Sequence, residues 1–189
     1  MGKLAVTEFV SVDGVFEDPG GAEDYEHGGW SFKYDRGDDG DKFKMDEAID
    51  SEALLLGRTT YQGFADAWPE REGEFADKFN SMPKYVVSST LKDPDWNNTK
   101  VLEGDLAEAV AQLRDSADGD VVVHGSAQLA QALIEDALVD ELRLMVFPVV
   151  LGSGKRLFGE SKDLKNFKLV KSQEVGSDGV IILTYRRAG

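Results

Sequence analysis

Short apolar runs alternate with helical stretches along most of this chain, and that alternation leaves few folds open. Leu4 to Val12, Ala53–Leu56, Tyr85–Val87, Val121–Val123 and Leu142–Phe147 have the length and β-branched character of buried strands. Between them lie helical segments. One runs from about Lys42 to Ser51, and the next opens at Gly57-Arg58-Thr59-Thr60, with Phe75 and Phe79 one helical turn apart further on. A third starts at Asp105, where Glu108 completes a capping box and Leu106, Val110 and Leu113 share a face. The last follows His124-Gly125-Ser126 and turns Leu129, Leu133 and Ile134 inward. Two final strands, about 167–175 and 180–187, flank the turn Gly176-Ser177-Asp178-Gly179 and read as a hairpin. Strict alternation implies an α/β fold in three layers, a mostly parallel central sheet with helices on both faces and a C-terminal antiparallel hairpin.

The 189 residues suit one domain spanning 1–189. Residues 17–46 break the pattern with Gly, Pro and acidic clusters, and read as a long acidic loop covering a site. The formal net charge of −15 argues against nucleic acid and anionic membrane as partners. No apolar run approaches the ~20 residues that span a bilayer, and the N-terminal apolar stretch is too short for a signal peptide. A cytoplasmic location is expected. With no cysteine, thiolate chemistry and Cys-ligated zinc are excluded. No metal site is expected. Asp35-x-Gly37-x-Asp39-Gly40 with Asp46 is like a calcium loop only superficially. Its third position lacks an oxygen ligand, its last ligand is Asp, and a lysine follows Asp41.

Three strand-to-helix junctions carry residues suited to phosphate. At Gly57-Arg58-Thr59-Thr60 the glycine permits a close turn, the helix start offers free N–H groups, and Arg58 can fork onto a phosphate. Ser88-Ser89-Thr90 and His124-Gly125-Ser126 are the other two. In open α/β sheets such junctions lie at the carboxyl ends of the strands, where ligands bind. At any one of them a glycine or serine can equally be a plain helix cap.

These segments carry a family resemblance. Leu54-Leu55-Leu56-Gly57-Arg58-Thr59-Thr60-Tyr61, Tyr85-Val86-Val87-Ser88-Ser89 and Val121-Val122-Val123-His124-Gly125-Ser126 resemble segments of the dihydrofolate reductases. Ser11-Val12-Asp13-Gly14 and Phe147-Pro148-Val149-Val150-Leu151-Gly152-Ser153-Gly154 are similar to the riboflavin-pathway pyrimidine reductases. The likeness covers nearly the whole chain, is weakest over 17–46, and is closest to small stand-alone bacterial proteins of the RibD C-terminal type. It implies NADPH as cofactor and hydride transfer to a small heterocycle, a pterin or a pyrimidine of the riboflavin route. By the same resemblance Gly57, Arg58, Thr59 and Thr60 hold the adenosine-side phosphates, with Arg58 favouring the 2′-phosphate. Ser88 and Ser89 border the adenosine, Gly125 and Ser126 hold the diphosphate, and Phe9 and Val10 face the nicotinamide. His124 stands where dihydrofolate reductases have a glycine, and either adds a contact or fills space.

For the proton donor the resemblance offers Asp13 first and Asp35 second, with Asp46 as a rival to Asp35. Each also reads as an ordinary turn or surface carboxylate. A protein that binds the nucleotide without turnover is the alternative function. The late strands 142–150 and 167–187 are rich in Leu, Val, Ile and Phe, and the resembled pyrimidine reductases pair through such strands, so a homodimer is expected.

Overall fold

The computed structural model describes residues 2–188. Strand β1 (Leu4–Ser11) lies inside the sheet, and its apolar side chains are buried on both faces, as a central parallel strand requires. Helix α1 (Gly37–Asp50) leads to β2 (Ser51–Gly57). Helices α2 (Arg58–Ala67) and α3 (Glu74–Ser81) lead to the short strands β3 (Lys84–Val87) and β4 (Thr99–Leu102). Then follow α4 (Leu106–Ser116), β5 (Asp120–Val123), α5 (Ala127–Glu135) and β6 (Glu141–Phe147). The hairpin β7 (Phe167–Val175) and β8 (Val180–Arg187) closes the chain.

The eight strands form one sheet in the order β4-β3-β2-β5-β1-β6-β8-β7. From β4 to β6 all neighbours run parallel; β8 pairs antiparallel with both β6 and β7. The α/β class and the antiparallel C-terminal strands are therefore as the alternation implies. One core packs α4 and α5 against Leu4, Val6, Val10, Val121 and Val123. The other face carries Ala48, Tyr61, Phe79 and Trp96 against Leu54, Leu56 and Val122. β6 feeds both faces. Leu142 and Leu144 join the first core, while Met145 and Phe147 pack against Trp30, Val175 and Ile182.

Two expectations need correction. The acidic segment does not stay irregular to residue 46. Trp30–Lys33 makes a 3-10 turn and α1 begins at Gly37. Asp38 and Asp39 fall in the first turn of α1, where negative charge suits the helix N-terminus. The helix buries only Gly40, Glu47 and Ala48, so no apolar stripe announces it. β4 also escapes the sequence pattern. It is a four-residue edge strand, and a short, half-exposed edge needs little apolar character.

A gap in the sheet positions the site. β1 pairs with β6 as far as Ser11, but its pairing with β5 ends at Val6 opposite Val123. β5 stops there and the chain turns at His124. The edge of β1 beyond Val6 that faces β5 thus has no strand partner, and a cleft opens at the carboxyl ends of β1, β2 and β5.

Candidate functional site

The cleft has a volume of about 720 Å³. Three segments meet on it: Thr7-Glu8-Phe9 from the end of β1, Arg58-Thr59-Thr60 from the start of α2, and His124-Gly125-Ser126 before α5. The last two meet because their backbones approach closely. A Cβ on Gly57 would lie 2.1 Å from Ser126 Oγ, and one on Gly125 would lie 2.6 Å from Thr60 Oγ1. Gly125 has φ +61°, and the Gly125–Ser126 peptide is cis. Only glycine leaves room here for a ligand's own atoms to approach the backbone. The donor set therefore fits an anion such as a diphosphate: free N–H groups at a helix start, a small hydroxyl, and the Arg58 guanidinium. Among the described residues Arg58 makes no ion pair, whereas Lys44, Lys155 and Arg156, which also line the cleft, pair with Glu47, Glu17 and Asp13.

The loop after β1 closes one side through Glu17, Asp18, Pro19 and Glu23. It is tied down at several points. Trp30 Nε1 donates to the Glu17 carbonyl at 2.8 Å, and Tyr25 Oη donates to the Ser153 carbonyl at 2.8 Å. Lys155 binds the Glu17 carboxylate at 2.9 Å. Glu17, Asp18, Pro19 and Glu23 thus form part of the cleft wall.

Beneath the cleft lies a charge network that sequence reasoning missed. Lys44 Nζ donates to Thr7 Oγ1 at 2.8 Å and contacts Glu47. Thr7 Oγ1 donates to Glu47 Oε2 at 2.8 Å, and Arg143 approaches Glu47 Oε1 at 3.5 Å. Glu47 Oε1 has no hydrogen bond in its buried position. Burial disfavours the Glu47 charge, yet Lys44 and the other nearby groups hold its carboxyl below the ordinary value. Burial, reinforced by Lys44, pushes His124 down to about 3, so its imidazole is neutral. Its ring packs 5.4 Å from Phe79, edge to face, so His124 both fills space and lines the cleft.

Glu8 is the second missed residue. Its Oε1 accepts the Gly125 N–H inside the cleft. Burial pushes its carboxyl up to about 8, against the Gly125 hydrogen bond and Lys44 and with help from Glu47 and Glu23. The signal was present in the sequence. Glu8 is the one charged residue of a mostly apolar first strand, a local conflict of the kind that marks functional positions.

Several expected residues are placed elsewhere. Asp13 does not line the cleft. Its Oδ1 accepts from Ser11 Oγ at 2.6 Å and from Leu151 N at 3.1 Å, and its Oδ2 accepts from Gly152 N at 2.9 Å. The Ser11 hydroxyl and these N–H groups hold its carboxyl down to about 2, so it fastens the 148–154 segment as a carboxylate and is not placed as a proton donor. Asp35 is exposed and accepts from Ser177 Oγ at 2.9 Å and Gly37 N at 2.8 Å, joining α1 to the β7–β8 turn. The Ser177 hydroxyl and Gly37 N–H hold its carboxyl below the ordinary value. Asp46 is an exposed partner of Lys42. Ser88 accepts from Thr90 N and Leu91 N in a surface turn, and neither Ser88 nor Ser89 lines the cleft. Phe9 does line it, 5.3 Å from Phe147, whereas the Val10 side chain is buried in the core against α4 and α5.

The chain is similar to several known proteins. Bacillus subtilis YyaP, an uncharacterised protein, is 32% identical over 143 residues, covering 73% of this chain and 75% of its own. Uncharacterised YwjB of the same organism is 26% identical over 180 residues, covering 95% and 94%. A Shewanella sp. PV-4 protein whose name assigns it to riboflavin biosynthesis superposes with a TM-score of 0.76 at 23% identity, over 99% of both chains. Acinetobacter baumannii RibD superposes with a TM-score of 0.67 at 15% identity; this whole chain spans 59% of that protein. The RibD C-terminal domain profile matches residues 2–181, and the chain belongs to that family.

Proposed function

We propose that this protein is an NADPH-dependent reductase that transfers hydride to a flat heterocycle, a pterin such as dihydrofolate or a ribosylaminopyrimidine of the riboflavin route. One observation carries the reading. Two strand-to-helix turns, Gly57–Thr60 and His124–Ser126, converge across a gap in the sheet on one cleft that also exposes Phe9. Membership of the RibD C-terminal family supports it, as does the likeness to the Shewanella and Acinetobacter proteins. When bound, NADPH would supply the hydride with its electron pair, and solvent would supply the proton that completes the reduction.

The chain's own residues bind, orient and shield. Gly125 and Ser126 offer backbone N–H groups and a hydroxyl to the diphosphate, and Arg58 offers a fork to the 2′-phosphate. Phe9 presents one face of the cleft, with its ring held between Phe147 at 5.3 Å and the Arg36 guanidinium at 5.2 Å. The neutral His124 and the paired Lys44–Glu47 form the floor, where Lys44 and Arg143 oppose the Glu47 charge. Glu17, Asp18, Pro19 and Glu23 of the loop after β1 wall the cleft on one side.

The test is NADPH oxidation followed by absorbance with dihydrofolate and with 5-amino-6-ribosylaminouracil, beside NADPH titration by tryptophan fluorescence. Turnover with either substrate class supports the reductase. Tight binding with no turnover favours a nucleotide-binding protein of the same fold. Absence of binding removes both.

A further inference from the structure

We propose that Glu8 gates the anion pocket by a proton: its carboxyl occupies the Gly125 N–H, and a diphosphate takes that N–H only while Glu8 is protonated. The proposal rests on the reading that the His124–Ser126 turn holds a diphosphate. It goes further, because that reading alone treats the Gly125 N–H as free. In this structure it is not free. Glu8 Oε1 accepts it, within the same cleft that Arg58, Thr60 and Ser126 line.

An ionised carboxylate and a diphosphate cannot share one N–H, because two anions at contact repel in a half-buried site. A protonated carboxyl behaves differently. It releases the N–H at little cost and turns its own O–H toward a phosphate oxygen as a donor. The pocket is thus matched to its anion only when Glu8 is neutral.

The surroundings of Glu8 decide when that is. From α1, Lys44 favours the carboxylate and Glu47 disfavours it. From the loop after β1, Glu23 disfavours it, and Glu17 and Asp18 stand in the same wall. At the end of β5, His124 is neutral and adds no charge. Arg58 on α2 lines the cleft, while Lys155 and Arg156 are engaged by Glu17 and Asp13. On β6, Arg143 is committed to Asp120, Glu141 and Glu47. Burial outweighs the favourable partners and pushes the Glu8 carboxyl up to about 8. The gate is therefore open at neutral pH and closes in the mildly alkaline range, and anion binding above that range takes up one proton from solvent.

The experiment is calorimetric titration of inorganic pyrophosphate and of NADPH between roughly pH 6.5 and 9.5, in paired buffers of different ionisation enthalpy. The Gly125 amide resonance is followed in parallel. For wild type, affinity should fall about tenfold from pH 7 to pH 9, with proton uptake rising from about 0.1 to about 0.9 per site. Glu8→Gln keeps the shape and the accepting oxygen without the charge. It should lose this fall and this uptake, leaving only the ligand's own titration. Glu8→Ala should be as flat, and its Gly125 amide should stop responding to pH near 8. Identical pH slopes in wild type and Glu8→Gln would overturn the gate. So would NADPH binding with no excess proton uptake, which leaves the reductase reading standing. Pyrophosphate binding with the expected uptake but no NADPH binding supports the gate and removes the cofactor reading. Failure of both ligands to bind wild type removes both.

Discussion

Single residues decide which carboxylates are structural and which serve the cleft. Asp13 binds Ser11 Oγ, Leu151 N and Gly152 N, which makes it a fastener between the end of β1 and the 148–154 segment. In Asp13→Asn the new amide N–H faces the Gly152 N–H, so that exposed donor exchanges a carboxylate acceptor for water. Unfolding by denaturant at pH 7 should show a loss of about 0.5–1.5 kcal/mol, with NADPH affinity nearly unchanged. A large loss of affinity in a stable variant would return Asp13 to the site. Its pH dependence has a definite sign. The Asp13 carboxyl is lowered from 3.8 to about 2 in the fold. Its contribution is present above the unfolded value and is lost as pH falls from about 4 through 2. Wild type should therefore lose stability over that window more steeply than Asp13→Asn. Arg58 has the opposite character: it is exposed, lines the cleft, and has no ion pair among the described residues. Arg58→Ala should weaken NADPH by about 1.5–3 kcal/mol while leaving NADH affinity nearly unchanged. Equal affinity of wild type for the two cofactors would end that assignment.

Elements explain what the sequence disclosed and what it hid. The parallel strands were legible because burial on both faces demands continuous apolar runs, as in Ala53–Leu56 and Val121–Val123. The phosphate-suited turns were legible because the close approach of the two turns leaves little room for a side chain at Gly57 or Gly125. The first half of α1 was hidden, since Gly37–Lys42 is acidic and glycine-rich and buries only Gly40. Lys44 and Glu47 fell inside the helix read from about Lys42, but no pattern in the sequence marked them as facing inward. Glu8 was visible only as an exception within β1. Ser88 and Ser89 matched a motif, but the loop after β3 uses them as a turn away from the cleft. A test at this scale exploits the junction of β2 and β5. Gly57 has an ordinary φ of −78°, so Gly57→Ala strains nothing in its own backbone and acts only by pressing on Ser126. Ser126→Gly removes the obstructing hydroxyl. The two substitutions should therefore be non-additive, with a coupling of about 0.5–3 kcal/mol in denaturant unfolding of the four proteins of the cycle. Additive effects would mean that the two turns do not pack as the structure places them. Gly125 is a poorer probe, because its φ of +61° and the nearby Thr60 would make any side chain there damage the fold as well as the pocket.

At the scale of the whole molecule, the sheet is finished differently at its two ends. β4 is short and half-buried, but β7 is a nine-residue edge strand. Such an edge, left bare, invites pairing with another chain. Its surroundings are apolar: Leu169 is 47% exposed, Val170 50% and Ile181 40%, with Phe158 at 47% and Leu164 at 92% nearby in sequence. A cavity of about 580 Å³ opens on the same end, lined by Leu144, Leu157, Phe158, Phe167, Leu183 and Tyr185. A second copy laid across these side chains would remove them from water, and a stable interface takes roughly 800 Å² per partner. The net charge of −15 opposes association, so pairing must come from this apolar face and should tighten as salt screens the repulsion. We therefore expect a homodimer through the β7–β8 end. Light scattering should give about 41 kDa, twice the 20.7 kDa chain mass. Replacing Leu169 and Val170 together by aspartate places two charges on the bare edge without touching the cleft. That variant should scatter as the 20.7 kDa monomer, keep its circular dichroism spectrum, and still bind NADPH. Wild type scattering as a monomer at physiological salt would refute the pairing. A double-aspartate variant that remains dimeric would move the interface away from β7, and the exposed Leu164 and Phe158 would be the next positions to charge.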